Sequence, residues 1–319
     1  MAAMLEVEHL KKYFRVGGDR KLHAVDDITF TLDAGKTLGV VGESGCGKTT
    51  LGRTILHLSD PTSGVIRFEG EDISNPSKSD LRRLRESMQI IFQDPYSSLD
   101  PRMSVSQSIM EPLLLQGKLS KDECREETLN LMKVVGLAED YENAYPHELD
   151  GGRRQRIVIA RALALKPKFI VCDEPVSALD VSIQAQIINL MLDLQEERHI
   201  AYMFVTHDLS VVKYISDDIM VMYMGNMVEK APSQLLFDHP LHPYTQALLS
   251  AIPVPSIHNQ KSRIIMQGEI TSPIDPKPGC RFAARCRYAG PECAQPQTLE
   301  ELEPNHFVSC CKCREINNL

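Results

Sequence analysis

The sequence predicts an α/β protein built around a parallel sheet, and three observations predict it. Short apolar runs at 38–41, 169–172 and 201–205 each end on residues suited to ligand chemistry, as fully buried strands of a parallel sheet do. A helical stretch at 181–197 separates the second run from the third, in βαβ order. The first run feeds directly into a glycine-rich loop and then a helix.

Length and composition bound the rest. A chain of 319 residues can bury one large core with an appendage, or two medium ones. Hydrophobic residues make up 43%, yet no apolar run approaches the roughly 20 residues that span a bilayer. Residues 1–9 carry acids in place of a basic targeting signal, so the chain is expected to stay in the cytosol. The net charge of -8 argues against generic nucleic-acid binding, which displaces counterions with basic surface.

Along the chain, residues 5–32 alternate apolar and polar around the turn Gly17-Gly18-Asp19-Arg20, which predicts antiparallel strands. After Leu38-Gly39-Val40-Val41 comes Gly42-Glu43-Ser44-Gly45-Cys46-Gly47-Lys48-Thr49-Thr50. Glycines at 42, 45 and 47 permit positive φ and close backbone approach, so successive N–H groups can point at the β- and γ-phosphates of a nucleotide. Lys48 adds a point charge. The helix from Thr49 aims its N-terminal dipole at the same anion, and the Thr49 hydroxyl is suited to ligate a bridging Mg2+ ion. That helix is expected to end near Leu58, before Asp60-Pro61-Thr62-Ser63-Gly64, with a strand returning at 65–68. From 79 to about 145 the pattern turns helical, an inserted helical subdomain.

The later runs carry acids at the carboxyl edge of the sheet. Asp173 and Glu174 end the run at 169–172. Asp173 is suited to hold magnesium through water, and Glu174 to accept the proton of an attacking water. Taken alone, an acidic pair there reads as a loop start or helix cap; with the phosphate loop it reads as function. His207 follows the run at 201–205, where an imidazole can contact a γ-phosphate, and Gln93 ends the run at 90–92 as a neutral magnesium ligand.

At these residues the chain resembles the ATPase subunits of ABC transporters over 5 to about 252. The order is phosphate loop (Walker A), Gln93, a Gly151-Gly152 signature, Asp173-Glu174, Ser177-Ala178-Leu179-Asp180, then His207. It is similar more narrowly to oligopeptide and dipeptide importer ATPases through Phe92-Gln93-Asp94-Pro95-Tyr96-Ser97-Ser98-Leu99-Asp100-Pro101, Tyr145-Pro146-His147-Glu148-Leu149 and His242-Pro243-Tyr244-Thr245. The resemblance implies a P-loop NTPase fold with an antiparallel β subdomain, a helical subdomain over about 93–165 and a small cysteine-rich extension over 253–319. It implies ATP held between one chain's phosphate loop and a second ATPase's signature. Asp180 then speaks across the dimer, and Phe14 (or Tyr13) stacks on adenine, unless Phe14 is a core residue. The implied role is an ATP-hydrolysing energy-coupling subunit, a translocase component on the cytoplasmic side of the plasma membrane. Its partners would be two transmembrane permease subunits and, indirectly, an extracytoplasmic substrate-binding protein, with no nucleic acid. The rival is a soluble ABC ATPase acting on nucleic acid or the ribosome. Where the family signature reads Leu-Ser-Gly-Gly-Gln, this chain has Leu149-Asp150-Gly151-Gly152-Arg153. Asp150 is expected to repel the partner's γ-phosphate, with Arg153 offsetting it in part, which would suit a second ATPase that is not identical.

Six of nine cysteines lie in the last forty residues, a crowding that in a reducing cytosol suggests metal before disulfide. Cys46, Cys124 and Cys172 are expected to be buried. Cys280, Cys286, Cys293 and Cys310 suit zinc or a 4Fe-4S cluster; the family resemblance favours the cluster. Prolines 253, 255, 273, 276 and 278 predict a linker that separates this tail from the nucleotide chemistry.

Overall fold

A computed structural model describes residues 3–252, 263–266, 268 and 272–319. Prolines 253 and 255 of the expected linker lie outside the described residues. In chain order the elements are β1 (Leu5–Arg15), β2 (Lys21–Leu32), β3 (Thr37–Val41), α1 (Lys48–Ile55), β4 (Ser63–Phe68), β5 (Glu71–Asp72), α2 (Lys78–Ser87) and β6 (Met88–Ile91). There follow α3 (Val105–Gln116), α4 (Lys121–Val134), α5 (Gly151–Leu163), β7 (Phe169–Asp173), α6 (Val181–Arg198), β8 (Ala201–Val205) and α7 (Leu209–Ile215). The last are β9 (Asp218–Tyr223), β10 (Asn226–Pro232), α8 (Ser233–Asp238), α9 (Pro243–Ser250), β11 (Glu300–Glu303), β12 (His306–Val308) and α10 (Cys313–Asn317).

The chain divides into two compact units. The first holds Met1–Asp33, Thr37–Asn75 and Val205–Leu319. In it β2, β1, β4 and β5 form an antiparallel sheet in that order, as the alternation at 5–32 predicts. Leu5, Val7 and Leu10 of β1 and Val25 and Ile28 of β2 are fully buried. A second sheet runs β11-β12-β10-β9-β3, with β3 and β9 parallel and the rest antiparallel. All five residues of β3 are buried, which accounts for its unbroken apolar run.

The tail belongs to this unit, which corrects the expected separation by a linker. Its strand β12 pairs with β10 through Glu229 and Lys230. Phe282, 3% exposed, packs in one core with Val41 of β3, Val221 and Tyr223 of β9, and Tyr244 of α9. The buried Glu229 carboxylate accepts from Leu241 N (2.7 Å), His242 N (3.0 Å) and His306 Nε2 (2.7 Å). A buried carboxylate is stable only with such a set of partners, so this cluster fastens β12 to β10 and to the segment before α9.

The second unit holds Ala34–Lys36 and Pro76–Phe204. Its strands lie in the order β8-β7-β6, with β6 and β7 parallel. The strand at 88–91 interrupts the stretch expected to be helical from 79: Ile90 and Ile91 pair with Val171 and Cys172, and sheet pairing overrides the local pattern. Helices α2, α3 and α4 each begin at a serine whose hydroxyl accepts the N3 amide while the N3 side chain returns to the cap amide, at Ser77/Asp80, Ser104/Gln107 and Ser120/Glu123. These capping boxes set where each helix starts.

Candidate functional site

In the first unit β3 ends at Val41 and the loop 42–47 turns into α1. The caps explain the glycines. Gly47, with φ 108, is the N-cap of α1, and a Cβ there would lie 2.0 Å from Ala24 O. A side chain is excluded by both backbone conformation and space. Among the described residues no acid occupies the first turn of α1, so the positive end of its dipole is left for an anion. Lys48 is buried, its ammonium donating to Gly42 O (2.7 Å) and Glu43 O (3.1 Å). That fixes a cation inside the loop rather than in solvent. Ser44 and Gly45 are exposed, Thr49 and Thr50 half-buried and Cys46 buried. Burial pushes the Cys46 thiol up against the lowering charge of Lys48, which makes it a small apolar filler rather than a nucleophile.

His207, exposed, lies two residues past β8. The preceding Thr206 N–H donates to Val40 O (3.1 Å), so this segment runs beside the end of β3 that opens into the phosphate loop. Of the two aromatics of β1, Tyr13 is committed: its hydroxyl bonds Asp26 and its ring stacks on His23 at 3.8 Å. Phe14 is 38% exposed with Lys12 Nζ 4.8 Å from its ring centroid. Phe14 is therefore not a core residue, and its ring is open to a stacking partner.

In the second unit Asp173 is buried at the end of β7 and Glu174 follows in the left-handed region, φ 49. Such a conformation in a non-glycine residue is costly and clusters at functional sites. Gln93 Nε2 donates to Glu174 Oε2 at 2.9 Å, joining two predicted site residues 81 positions apart. The turn 174–180 is held by Gln184 Nε2, which donates to Val176 O and Leu179 O at 2.9 Å each. Asp180 caps α6 without a side-chain capping bond and is exposed.

Asp150 caps α5, accepting from Arg153 N at 2.8 Å, and its other oxygen pairs with the Arg153 guanidinium. Asp150 thus supplies the side-chain cap of α5. Its charge is paired with the Arg153 guanidinium, the partner from which the sequence reading expects a partial offset. Gly152 packs closely against α6: a Cβ would meet Ile183 Cγ2 at 2.7 Å, so a larger residue would require that side chain to shift.

In the tail, Cys280, Cys286, Cys293 and Cys310 line one narrow cavity together with Cys311. Burial pushes the Cys280 thiol up to about 11 and the Cys310 thiol up to about 12. Among the described residues no group of three or more His, Cys, Asp or Glu is gathered closely enough to hold a metal ion. The thiols expected to hold a cluster thus converge on one space without meeting at the spacing of a single-ion site. Cys313 points elsewhere, its thiol donating to Leu241 O. Cys46, Cys124 and Cys172 are buried, as expected.

The ABC transporter family matches residues 25–177, and the C-terminal region of oligopeptide/dipeptide transporters matches residues 228–293. The chain is 48% identical over 312 residues to the putative oligopeptide transport ATP-binding protein YkfD of Bacillus subtilis, covering 96% of this chain and 94% of that protein. The chain belongs to the ABC transporter ATP-binding protein family. It is also 50% identical to the oligopeptide transport ATP-binding protein AppF of Bacillus subtilis, covering 96% of each. The dipeptide transport ATP-binding protein DppF of Escherichia coli is 46% identical, covering 96% of this chain and 93% of that one. Among solved structures, cbiO1 from Clostridium perfringens superposes with TM-score 0.67 at 30% identity, over 75% of this chain and 92% of that chain. The dimeric ATP-binding cassette MJ0796 bound to ADP and Pi gives 0.66 at 27%, over 72% and 99%.

For this ABC ATPase the sequence reading placed Glu43 in the loop but did not find the residues that hold it. Arg285 donates to both carboxylate oxygens of Glu43 (2.7 and 3.0 Å), and the Tyr244 hydroxyl accepts from Glu43 N at 2.9 Å. The signal was present in the sequence as an acid inside the phosphate loop and as arginines adjoining two cysteines, Cys280-Arg281 and Arg285-Cys286. No helix among the described residues is long and apolar enough to cross a membrane.

Proposed function

We propose that this ABC ATPase is the energy-coupling subunit of a peptide-type importer, working as one of two ATPase domains on two transmembrane permease subunits at the cytoplasmic face of the plasma membrane. One observation carries this reading: relatives that span nearly the whole chain at 46 to 50% identity are named as oligopeptide or dipeptide transport ATP-binding proteins. The match of residues 228–293 to the C-terminal region of such transporters supports it. A substrate-binding protein would act indirectly through the permeases.

The proposed chemistry is hydrolysis of the γ-phosphate. Lys48 and the amides of 42–50 hold the β- and γ-phosphates, and Phe14 stacks on adenine, a contact tolerant of base identity. Thr49, Gln93 and Asp173 would hold Mg2+, which when bound supplies positive charge against the phosphate oxygens. Glu174 takes the proton of the attacking water as the new P–O bond forms and the β–γ bridge breaks. His207 steadies the γ-phosphate. Asp150, Gly151, Gly152 and Arg153 face the nucleotide of a second, non-identical ATPase, and Asp180 reads that partner. The Gln93–Glu174 hydrogen bond supports a link between the water-activating acid and the helical insert.

We also propose a 4Fe-4S cluster on Cys280, Cys286, Cys293 and Cys310. Their convergence on one cavity supports it, and a cuboidal cluster takes four thiolates on a wider shell than a single ion. Anaerobically purified protein should carry iron and sulfide that Cys286→Ser loses; stoichiometric zinc, or no metal, rejects it.

The importer reading is tested by isolating the chain from gently solubilised membranes. Two polytopic membrane proteins should accompany it. Recovery with ribosomes or nucleic acid instead would favour the rival, which the acidic balance already disfavours.

A further inference from the structure

Glu43 places a carboxylate in a loop that holds a polyanion. Both its oxygens are taken by Arg285, whose side chain is 10% exposed. The guanidinium also reaches Tyr223 OH at 3.5 Å and lies 5.9 Å from that ring, and the hydrogen bond to Glu43 is the largest influence holding Arg285 charged. The ring of Tyr244, whose hydroxyl accepts the Glu43 amide, packs against Tyr223 and Phe282 with centroids 4.8 and 5.3 Å away. Phe282 and Arg285 are both residues of the tail. The same tail reaches the loop a second time, at one remove. Arg281 pairs with Asp26 and donates to Met224 O, and Gly225 N in turn donates to Cys46 O at 2.8 Å.

We propose that Arg285 is a positioning residue for nucleotide binding: it turns the Glu43 carboxylate away from the phosphate cradle and neutralises it, so that the tail sets the ATP affinity of the loop. The inference rests on the nucleotide reading of residues 42–50. A carboxylate released from its bidentate partner would be a like charge beside the phosphates. With a purely structural arginine, affinity would only follow thermal stability from variant to variant. The proposal therefore makes a distinct demand: the harm done by removing Arg285 is relieved by also removing the charge of Glu43.

Binding of a fluorescent ATP analogue with magnesium is measured on the full chain, with thermal unfolding followed in parallel. Arg285→Ala should weaken binding by about tenfold, the scale of a lost hydrogen bond to a charged group. Arg285→Lys, which keeps the charge and loses the fork, should fall between it and the unaltered chain. Arg285→Ala combined with Glu43→Gln should recover most of the loss while remaining as thermally weakened as Arg285→Ala or more so. Should Arg285→Ala fail to fold, the Arg285→Lys pair, with and without Glu43→Gln, carries the same comparison. Equal affinity of Arg285→Ala and the unaltered chain overturns the proposal, as does a double variant no better than the single. No binding by the unaltered chain overturns the nucleotide reading and the tether with it.

Discussion

Gln93 donates a hydrogen bond to Glu174 at 2.9 Å, so the neutral amide before the helical insert touches the acid proposed as general base. Glu174 is itself held at φ 49, a backbone state with a cost of order 1–3 kcal/mol. Position and orientation of that carboxylate are thus determined from two sides.

Replacing the acid by its amide should separate chemistry from binding. Glu174→Gln is expected to slow ATP hydrolysis by about 10²- to 10⁴-fold while leaving ATP binding intact, measured by phosphate release and equilibrium binding on the same preparation. Normal turnover in the assembled transporter would remove Glu174 from the role.

The loop should tolerate no side chain at position 47. Gly47→Ala must fit a Cβ 2.0 Å from Ala24 O at φ 108, so loss of both folding yield and nucleotide binding is expected. Lys48→Ala, which leaves that backbone alone, should fold and lose phosphate binding. Thermal unfolding with and without ATP distinguishes the two: a nucleotide-induced shift in midpoint should be absent from Lys48→Ala.

At the signature, Asp150→Ser keeps a capping oxygen for the Arg153 amide, so stability should change little, whereas Asp150→Ala should cost about 1 kcal/mol by loss of the cap. Removing the charge should raise the ATPase rate of the isolated homodimer. A rate unchanged in Asp150→Ser, with dimerisation unchanged, would show that the Arg153 pairing already cancels the repulsion.

Stability should also fall in mild acid. His242 is buried and accepts from Tyr244 N at 3.0 Å. Burial lowers its folded pKa to about 4 from 6.5, against the opposing charge of Glu229. Because the unfolded chain takes up the proton first, stability is full above about 6.5 and is lost as pH falls towards about 4, by on the order of 3 kcal/mol. Urea unfolding between pH 7.5 and 4.5 measures it. His242→Asn, which keeps a capping acceptor without a titrating ring, should flatten that part of the profile.

Much of this was legible in the sequence because it is local. The phosphate loop, the strand ends at Asp173 and Val205 and the helix at 181–197 are written in contiguous residue types. Lys48, Gln93 and Glu174 were singled out from their immediate neighbours alone. What was not legible depends on pairing across long separations. The strand at 88–91 is a strand because Phe169 to Cys172 lies beside it. The tail joins the core because Phe282 finds Tyr223 and Tyr244, and Arg285 finds Glu43 at a separation of 242 residues. Proline content marked a change of composition after 252, but composition carries no record of where the chain returns. The charge of Asp150 was visible; that Arg153, three residues on, folds back onto it follows from the first turn of α5.

The central claim is that this chain hydrolyses ATP to drive peptide import, and uptake tests it most directly. The chain is reconstituted in liposomes with its two permease subunits, its partner ATPase and the peptide-loaded binding protein, and labelled peptide accumulation is measured with ATP enclosed on the side of the ATPases. Accumulation should require ATP and should be abolished by Lys48→Ala and by Glu174→Gln in this chain. Undiminished ATP-dependent peptide uptake with both residues replaced would contradict the account.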